Sequence, residues 1–381
     1  MNNKVDVIHI ISGDLWAGAE SQIYHSLVLM YKQNLISFKV IVFNNGVLSE
    51  KLKSTGINVA VIDEAESKGK DIILELRKQI LFGSPNIVHV HGFKEHILGY
   101  LANLVSGNRS VMVRTFHGMS IVLPGLSWFK HIKSTIVHMF ERKLLNSSKI
   151  YIVAVSEDLK TFLSSSFPRA NIMKIYNGIA DMGNHKDCRN DLREQYNLKQ
   201  GEIWIGTAAR LTYVKNLDML IRVGKGLKEK GVNFRISIFG EGNLKNELQL
   251  AIAQNGISDC VYLEGFTDEI IPIISSLDYF VMTSEHEGLP MSLLEAMFLE
   301  TPVICTAVGG IKEVVLNNET GFLVPSNDAD AMVNAILKLD ADVVLREDMV
   351  LRARERVFSV FSIENCVAQI TYLYQSVMGK V

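Results

Sequence analysis

Proline and cysteine are scarce in this sequence, at 7 and 4 of 381 residues. So few prolines exclude a Pro-rich stalk, and no Gly/Ser tract marks a flexible linker. Cys188, Cys260, Cys305 and Cys366 stand 72, 45 and 61 residues apart, with no Cys-x-x-Cys pair. That spacing excludes a metal knuckle and leads us to expect reduced thiols in a cytosolic protein. No apolar run approaches the roughly 18 residues that a membrane-spanning helix needs. Residues 1–13 hold a short Val/Ile run broken by Asp6, and no small-residue cleavage site follows. They read as a first strand, not as a secretory leader.

What remains is an ordinary globular mixture, 48% hydrophobic and 21% charged, which excludes a disordered or fibrous chain. At roughly 150 residues per domain, the length points to two domains. A formal net charge of −2 hides an uneven distribution. Residues 1–180 carry 20 Lys/Arg against 13 Asp/Glu, and residues 181–381 carry 19 against 28. A basic first half suits an anionic partner such as nucleic acid, a lipid surface or a phosphorylated substrate. Compositional drift between two domains gives the same split.

Short β-branched runs alternate with segments of helical spacing. In the first half the strand-like runs are 5–11, 38–43, 57–62, 86–91, 111–116 and 150–155. In the second half they are 202–209, 234–240, 260–265, 279–284 and 302–307. Continuous apolar runs suit strands buried on both faces, as in a parallel sheet. Strand–helix alternation then gives doubly wound α/β domains. Asn177 to Arg189 is polar and aperiodic, a break between them. The expected architecture is two Rossmann-like domains facing across a cleft, 1–180 and 189–360, with ligands outside the carboxyl ends of the strands. The last helical pattern, Phe361 to Val377, follows the final strand of the second half and must pack elsewhere.

The most informative segment is Ser284 to Met297, where Glu287 and Glu295 are separated by seven residues. Pro290 suits a first helical turn, which places Glu287 in the preceding loop and Glu295 about one and a half turns inside. Backbone N–H groups of Gly288, Leu289, Met291 and Ser292 at the helix start make an anion site. Solvated or capping glutamates share this spacing. Arg210, at a strand end, and Lys215 five residues on suit a diphosphate, although surface cations are commonplace. Gly240-Glu241-Gly242 is a lone Gly-x-Gly, equally a plain turn. Gly18 either admits a phosphate to the backbone or merely makes a turn. His89 and His91 share one strand face, and His117 follows the next strand; all three fall at carboxyl ends. No carboxylate or Cys stands at zinc-ligand spacing, so an imidazole hydrogen-bonding a sugar or phosphate fits better than a metal.

Together these residues resemble the retaining glycosyltransferases of family 4, sugar-nucleotide-dependent enzymes of the GT-B fold, over essentially the whole chain. The similarity rests on Gly18-Ala19-Glu20, His89-Val90-His91-Gly92, His117-Gly118, Ala154-Val155-Ser156-Glu157 and Asn177-Gly178-Ile179. In the second half it rests on Arg210 with Lys215, Gly240-Glu241-Gly242, Glu287 with Glu295, Gly309-Gly310 and Gly321-Phe322. The resemblance implies that Arg210 and Lys215 hold the donor diphosphate, that Glu295 bonds the ribose and that Glu287 orients the sugar hydroxyls. It implies that His117 contacts the donor sugar, that Gly18 approaches the phosphates, and that Phe266 lies near the base. It implies that the helix in 361–381 packs back on the first domain. Retention without a metal or other cofactor is expected, on the reading that the chain offers no Asp-x-Asp to hold a divalent ion, a reading corrected below. Two departures are Ala17-Gly18, where relatives often have two glycines, and Ala180, where many have an acid.

For the acceptor, Leu126 to Leu145 reads as a helix striped with Phe129, Ile132, Ile136, Phe140 and Leu144. Lys133 and Lys143 fall inside that apolar sector, as suits snorkelling lysines on anionic lipid. A helix packed on the first domain is the alternative. With the basic first half, this favours a lipid-linked saccharide acceptor at the cytoplasmic membrane face, within cell-surface polysaccharide synthesis. The resemblance, to chains with Glu-Gly-Leu-Pro as at 287–290, implies a UDP-sugar donor and leaves a GDP-sugar open. A nucleotide-sugar epimerase or hydrolase and a silent nucleotide-sugar-binding subunit are the competing readings. A dehydrogenase lacks its Gly-x-Gly-x-x-Gly after the first strand. No aromatic-plus-basic strand motif supports nucleic-acid binding.

Overall fold

The structure is a computed structural model that describes residues 6–14, 16–118, 141–147, 149–183, 185 and 188–379. The chain forms two compact units, Met1–Gly178 with Ser362–Val381, and Ile179–Phe361. The first is built on a parallel sheet of seven strands: β1 (Val7–Ile11), β2 (Phe38–Val42), β3 (Val59–Val61), β4 (Ile87–Val90), β5 (Val111–Phe116), β6 (Ile150–Ala154) and β7 (Asn171–Lys174). Their order is β3-β2-β1-β4-β5-β6-β7. The second has six: β8 (Ile203–Ala208), β9 (Phe234–Phe239), β10 (Val261–Gly265), β11 (Tyr279–Met282), β12 (Val303–Thr306) and β13 (Phe322–Val324), ordered β10-β9-β8-β11-β12-β13. These are two Rossmann-like sheets.

Central strands such as β1, β4 and β11 are buried at every residue, because helices cover both faces. The helix Leu217–Glu229 shows how a face is covered. It buries Leu217, Leu220, Ile221, Gly224 and Leu227, the i, i+3, i+4, i+7 stripe of an amphipathic helix. A methyl on Gly224 would come within 2.9 Å of Val261, so the bare glycine lets the helix lie close to the sheet. The strand-like runs of the sequence all appear, but β7 and β13 were not among the expected strands. Both are short edge strands, and an edge needs no long apolar run to declare it.

The helix Ile363–Val377 belongs to the first unit, where it packs on the helix Gly18–Lys32 and buries Cys366, Val367, Leu373 and Tyr374. Gln22 joins the segments: its carbonyl accepts from Gly178 N at 3.1 Å, and its amide donates to Ser26 at 3.1 Å and to Cys366 Sγ at 3.2 Å. All four cysteines are free. Of the expected helix 126–145, residues 126–140, with Lys133, lie outside the described residues. In the helical turn 141–145 Lys143 is exposed while Leu144 and Leu145 are buried, so Lys143 does not share the apolar sector. No helix of the described residues is long and apolar enough to cross a membrane.

Where the chain leaves the first unit, a Cβ on Gly178 would lie 2.6 Å from Ser362 O and from Ile363 Cα, both backbone atoms. Gly178→Ala is expected to cost about 1–3 kcal/mol by overpacking and to lower the thermal midpoint by several degrees. Gly69→Ala, with nothing within 4 Å, is expected to leave it unchanged. Thermal unfolding of the two variants checks this.

Candidate functional site

In the second unit β8 lies beside β11, although β9 and β10 separate them in sequence. Such a switch point opens a crevice outside the carboxyl edge of the sheet. The loop after β8 carries Arg210 and Lys215, and the loop after β11 carries Glu287. Lys215 ends a short 3-10 turn, Tyr213–Lys215, after which Asn216 takes φ 45°, a left-handed conformation that Asn tolerates. Lys215 Nζ lies 2.5 Å from Glu287 Oε1, and the Ser284 hydroxyl donates to the same oxygen at 2.6 Å. The two charged side chains are 17% and 10% exposed, so the pair is shielded without being sealed.

The surrounding backbone fixes this pair. Thr283 donates to Lys215 O at 2.9 Å, and Glu285 N donates to Val214 O at 2.9 Å. Gly310 N donates to Glu287 O at 3.1 Å, while a Cβ on Gly309 (φ 46°) would sit 2.1 Å from that oxygen. On the other side, Cβ atoms on Gly240 and Gly242 would strike Ala209 O at 2.1 Å and Leu211 O at 2.3 Å. Gly240-Glu241-Gly242 is therefore a close approach between the loops after β8 and β9, more than a plain turn. Arg210 is exposed, and its guanidinium has no partner among the described residues. Phe266, 59% exposed, follows β10 two strands away from β8.

Pro290 proves to be the N-cap, with φ −73° and ψ 125°, and not a first-turn residue; the helix runs Met291–Phe298 and has no side-chain cap. Gly288 is buried and Ser292 half-buried. Leu289 and Met291 turn their side chains into the protein, 3% and 6% exposed, so they offer a ligand only main chain. Glu295 is half-buried in this helix, and burial pushes its carboxyl from 4.5 up to about 7. Ser284, which had no assigned role in the sequence, belongs to the site; its one signal was a polar residue at a strand end.

In the first unit Gly18 opens the helix Gly18–Lys32, whose N-cap Ala17 offers no side-chain bond. The structure brings His9, unremarked in the sequence, beside the expected histidines: it is the register partner of His89 across β1 and β4. His91 stacks on His89 with ring centroids 4.2 Å apart, and His117 on His91 at 5.9 Å. His9 Nδ1 lies 3.2 Å from His91 Nε2. Burial holds His9 at about 3 and His117 at about 4, and His89 and His91 well below the ordinary imidazole value, so all four are neutral near pH 7.

The nitrogens of His9, His89 and His91 lie within 4.8 Å of one another, the one group among the described residues spaced for a metal ion. The rings stack face to face, however, and both nitrogens of His89 are engaged by Tyr374 and Thr115. The arrangement is a hydrogen-bonded stack. Two Asp-x-Asp triplets do occur, Asp328-Ala329-Asp330 and Asp340-Ala341-Asp342. Asp328 and Asp342 cap helices through Ala331 N at 2.9 Å and Leu345 N at 3.0 Å, and neither triplet stands on the loops that carry Arg210, Lys215 and Glu287.

The family model for glycosyl transferases group 1 matches residues 189–356, and that for glycosyltransferase family 4 matches residues 46–181. The amylovoran biosynthesis glycosyltransferase AmsK of Erwinia amylovora is 36% identical over 185 residues, 44% of this chain and 45% of that protein. This chain therefore spans less than half the length of AmsK. The capsular polysaccharide biosynthesis glycosyltransferase CapM of Staphylococcus aureus is 27% identical over 334 residues, 85% of this chain and 84% of that one. Among solved structures, Anabaena HepE in complex with UDP and glucose has a TM-score of 0.82 at 20% identity, covering 98% of this chain and 100% of that one. That likeness is one of fold, the GT-B arrangement of two Rossmann-like domains.

The raised carboxyl of Glu295 has a consequence for stability. The folded chain holds this proton more tightly than the unfolded chain, so ionising Glu295 destabilises the fold from about pH 4.5 upward, fully above about 7. Glu295→Gln is expected to raise the thermal midpoint at pH 8 by about 2–4 °C, the shift that ~1 kcal/mol gives in units of this size. At pH 4.5 the two midpoints are expected to agree. Paired melts at the two pH values check this.

Proposed function

Because the chain belongs to the family 4 glycosyltransferases of the GT-B fold, we propose that it moves a sugar, with retained anomeric configuration and without a metal ion, from a UDP-sugar to a lipid-linked saccharide. The observation that carries this proposal is that Arg210, without a side-chain partner among the described residues, shares the loop after β8 with Lys215, whose ion pair with Glu287 ties that loop to the one after β11 at the switch point of the second sheet. Negative charge grows on the leaving diphosphate in the transition state. Preorganised cations and a helix start meet that charge without reorganising. Arg210 supplies a guanidinium with no competing partner among the described residues, Lys215 a second cation, and the start of Met291–Phe298, without a side-chain cap, its main-chain N–H groups.

Glu287 then serves as acceptor for the sugar hydroxyls, its second oxygen available while Oε1 takes Lys215 and Ser284. Glu295 takes the ribose hydroxyls, and Phe266, exposed beside the Gly240 loop, offers a face to the base. His117 is the catalytic candidate of the first unit. Held neutral by burial, it acts toward the sugar as a hydrogen-bonding group and not as a cation. The names of the relatives, with amylovoran and capsular polysaccharide biosynthesis among them, favour cell-surface polysaccharide as the pathway class. A basic first half favours an anionic membrane surface, through residues 126–145, as the place where a lipid-linked acceptor is met.

The test is nucleotide release from a panel of UDP- and GDP-sugars, in EDTA, with and without a lipid extract. Release from a UDP-sugar that needs the lipid fraction and persists in EDTA is expected. Arg210→Ala and Glu287→Ala are each expected to lower kcat/KM by about 10²–10³, the usual cost of removing one charge-stabilising group. Release that EDTA abolishes, or that survives Glu287→Ala, would count against the proposal.

A further inference from the structure

The four stacked histidines are joined to the C-terminal helix by one hydroxyl. Tyr374, fully buried on Ile363–Val377, contacts His89 Nδ1 and lies 3.5 Å from His9 Nε2. Beyond His89, Nε2 meets Thr115 Oγ1 at 2.8 Å. Beyond His9, Nδ1 meets His91 Nε2 at 3.2 Å. Satisfaction declines along the stack. His9 and His89 have both nitrogens engaged, His91 leaves Nδ1 without a partner, and His117 leaves both nitrogens buried and unpartnered among the described residues.

We propose that Tyr374, His9 and His91 form a hydrogen-bond relay that positions His117, so that Tyr374 of the C-terminal helix is a positioning residue for sugar transfer. The inference rests on the proposed role of His117 toward the donor sugar. A neutral imidazole carries one proton, on one nitrogen. A tyrosine hydroxyl also has one to give, and at 3.5 Å His9 is at the limit of hydrogen bonding, so Tyr374 donates to His89 Nδ1. His89 must then carry its proton on Nε2 and donate to Thr115. The Tyr374 oxygen is left as an acceptor, which favours the proton of His9 on Nε2. His9 Nδ1 is then bare and accepts from His91 Nε2–H. One hydroxyl thus sets the tautomer of His89 and biases those of His9 and His91, and the last ring in this order, His91, is the one on which His117 stacks.

Two measurements test this. In the native protein at pH 7, long-range nitrogen–proton NMR of the imidazoles is expected to show His9, His89 and His91 all protonated on Nε2. A His91 proton on Nδ1 overturns the relay. Tyr374→Phe keeps the ring and removes the hydroxyl. It is expected to mix the tautomers of His9 and His91 and to lower kcat about 3–10-fold, the worth of one hydrogen bond, with donor KM unchanged. A merely structural role would lower the thermal midpoint and leave tautomers and kcat alone, and that result overturns the inference. His117→Ala separates the underlying reading: if it transfers sugar at the native rate, the role of His117 fails, whatever the tautomers show.

Discussion

Glu287 holds three loops together through its side chain and its main chain at once. Its carboxylate takes Lys215 from the loop after β8 and Ser284 from its own loop, and its carbonyl takes Gly310 N from the loop after β12. Because β8, β11 and β12 are neighbours in the sheet, one residue fixes the central crevice of the carboxyl edge. Gly309 is required there because any side chain would strike the Glu287 carbonyl in a left-handed backbone. A shielded ion pair of this kind is worth little as a source of stability. Its consequence is placement: the Lys215 ammonium stays next to the switch point, on the loop that also carries Arg210, whose guanidinium has no partner among the described residues. In the proposed reaction an arriving diphosphate shares Lys215 with Glu287, and the same contact brings the carboxylate toward the sugar.

The first unit solves a different problem at the equivalent place, the switch point between β1 and β4. Burying imidazoles inside apolar strands is costly unless they are hydrogen-bonded. The interior rings of His9 and His89 meet that condition, and among the described residues the rings nearer the strand ends, His91 and His117, progressively do not. In the proposed reaction, the unsatisfied nitrogens at this carboxyl edge are where the donor sugar adds the missing bonds. Burial also keeps these rings neutral, which suits hydroxyl groups better than phosphates.

Much of this was legible in the sequence because the sheets are buried on both faces, which writes each central strand as an unbroken apolar run. The edges β7 and β13 are 4 and 3 residues long, too short for Asn171–Lys174 and Phe322–Val324 to stand out as such runs. Lys215 and Glu287 were legible as residue types, but their contact was not, since 72 residues separate them and only the crossover of β9 and β10 brings β8 to β11. His9 was missed because one polar residue in Val7–Ile11 looks like an interruption of a strand, and its partner His89 lies on a strand 80 residues later. Leu289 and Met291 stand at the start of the helix Met291–Phe298, as the spacing led us to expect, but their side chains point inward, which the spacing does not reveal. Lys143 misled for a related reason: a stripe on a helical wheel does not say where the buried face is centred.

The central claim is that cations and a helix start, and not a metal ion, stabilise departure of a nucleoside diphosphate while the acceptor attacks from the same face. The most direct test is the anomeric configuration of the product, read from proton NMR coupling constants during turnover in EDTA with the active donor. The account predicts that the first-formed product carries the configuration the sugar had in the donor. An inverted product, or turnover only after a divalent cation is restored, would contradict it.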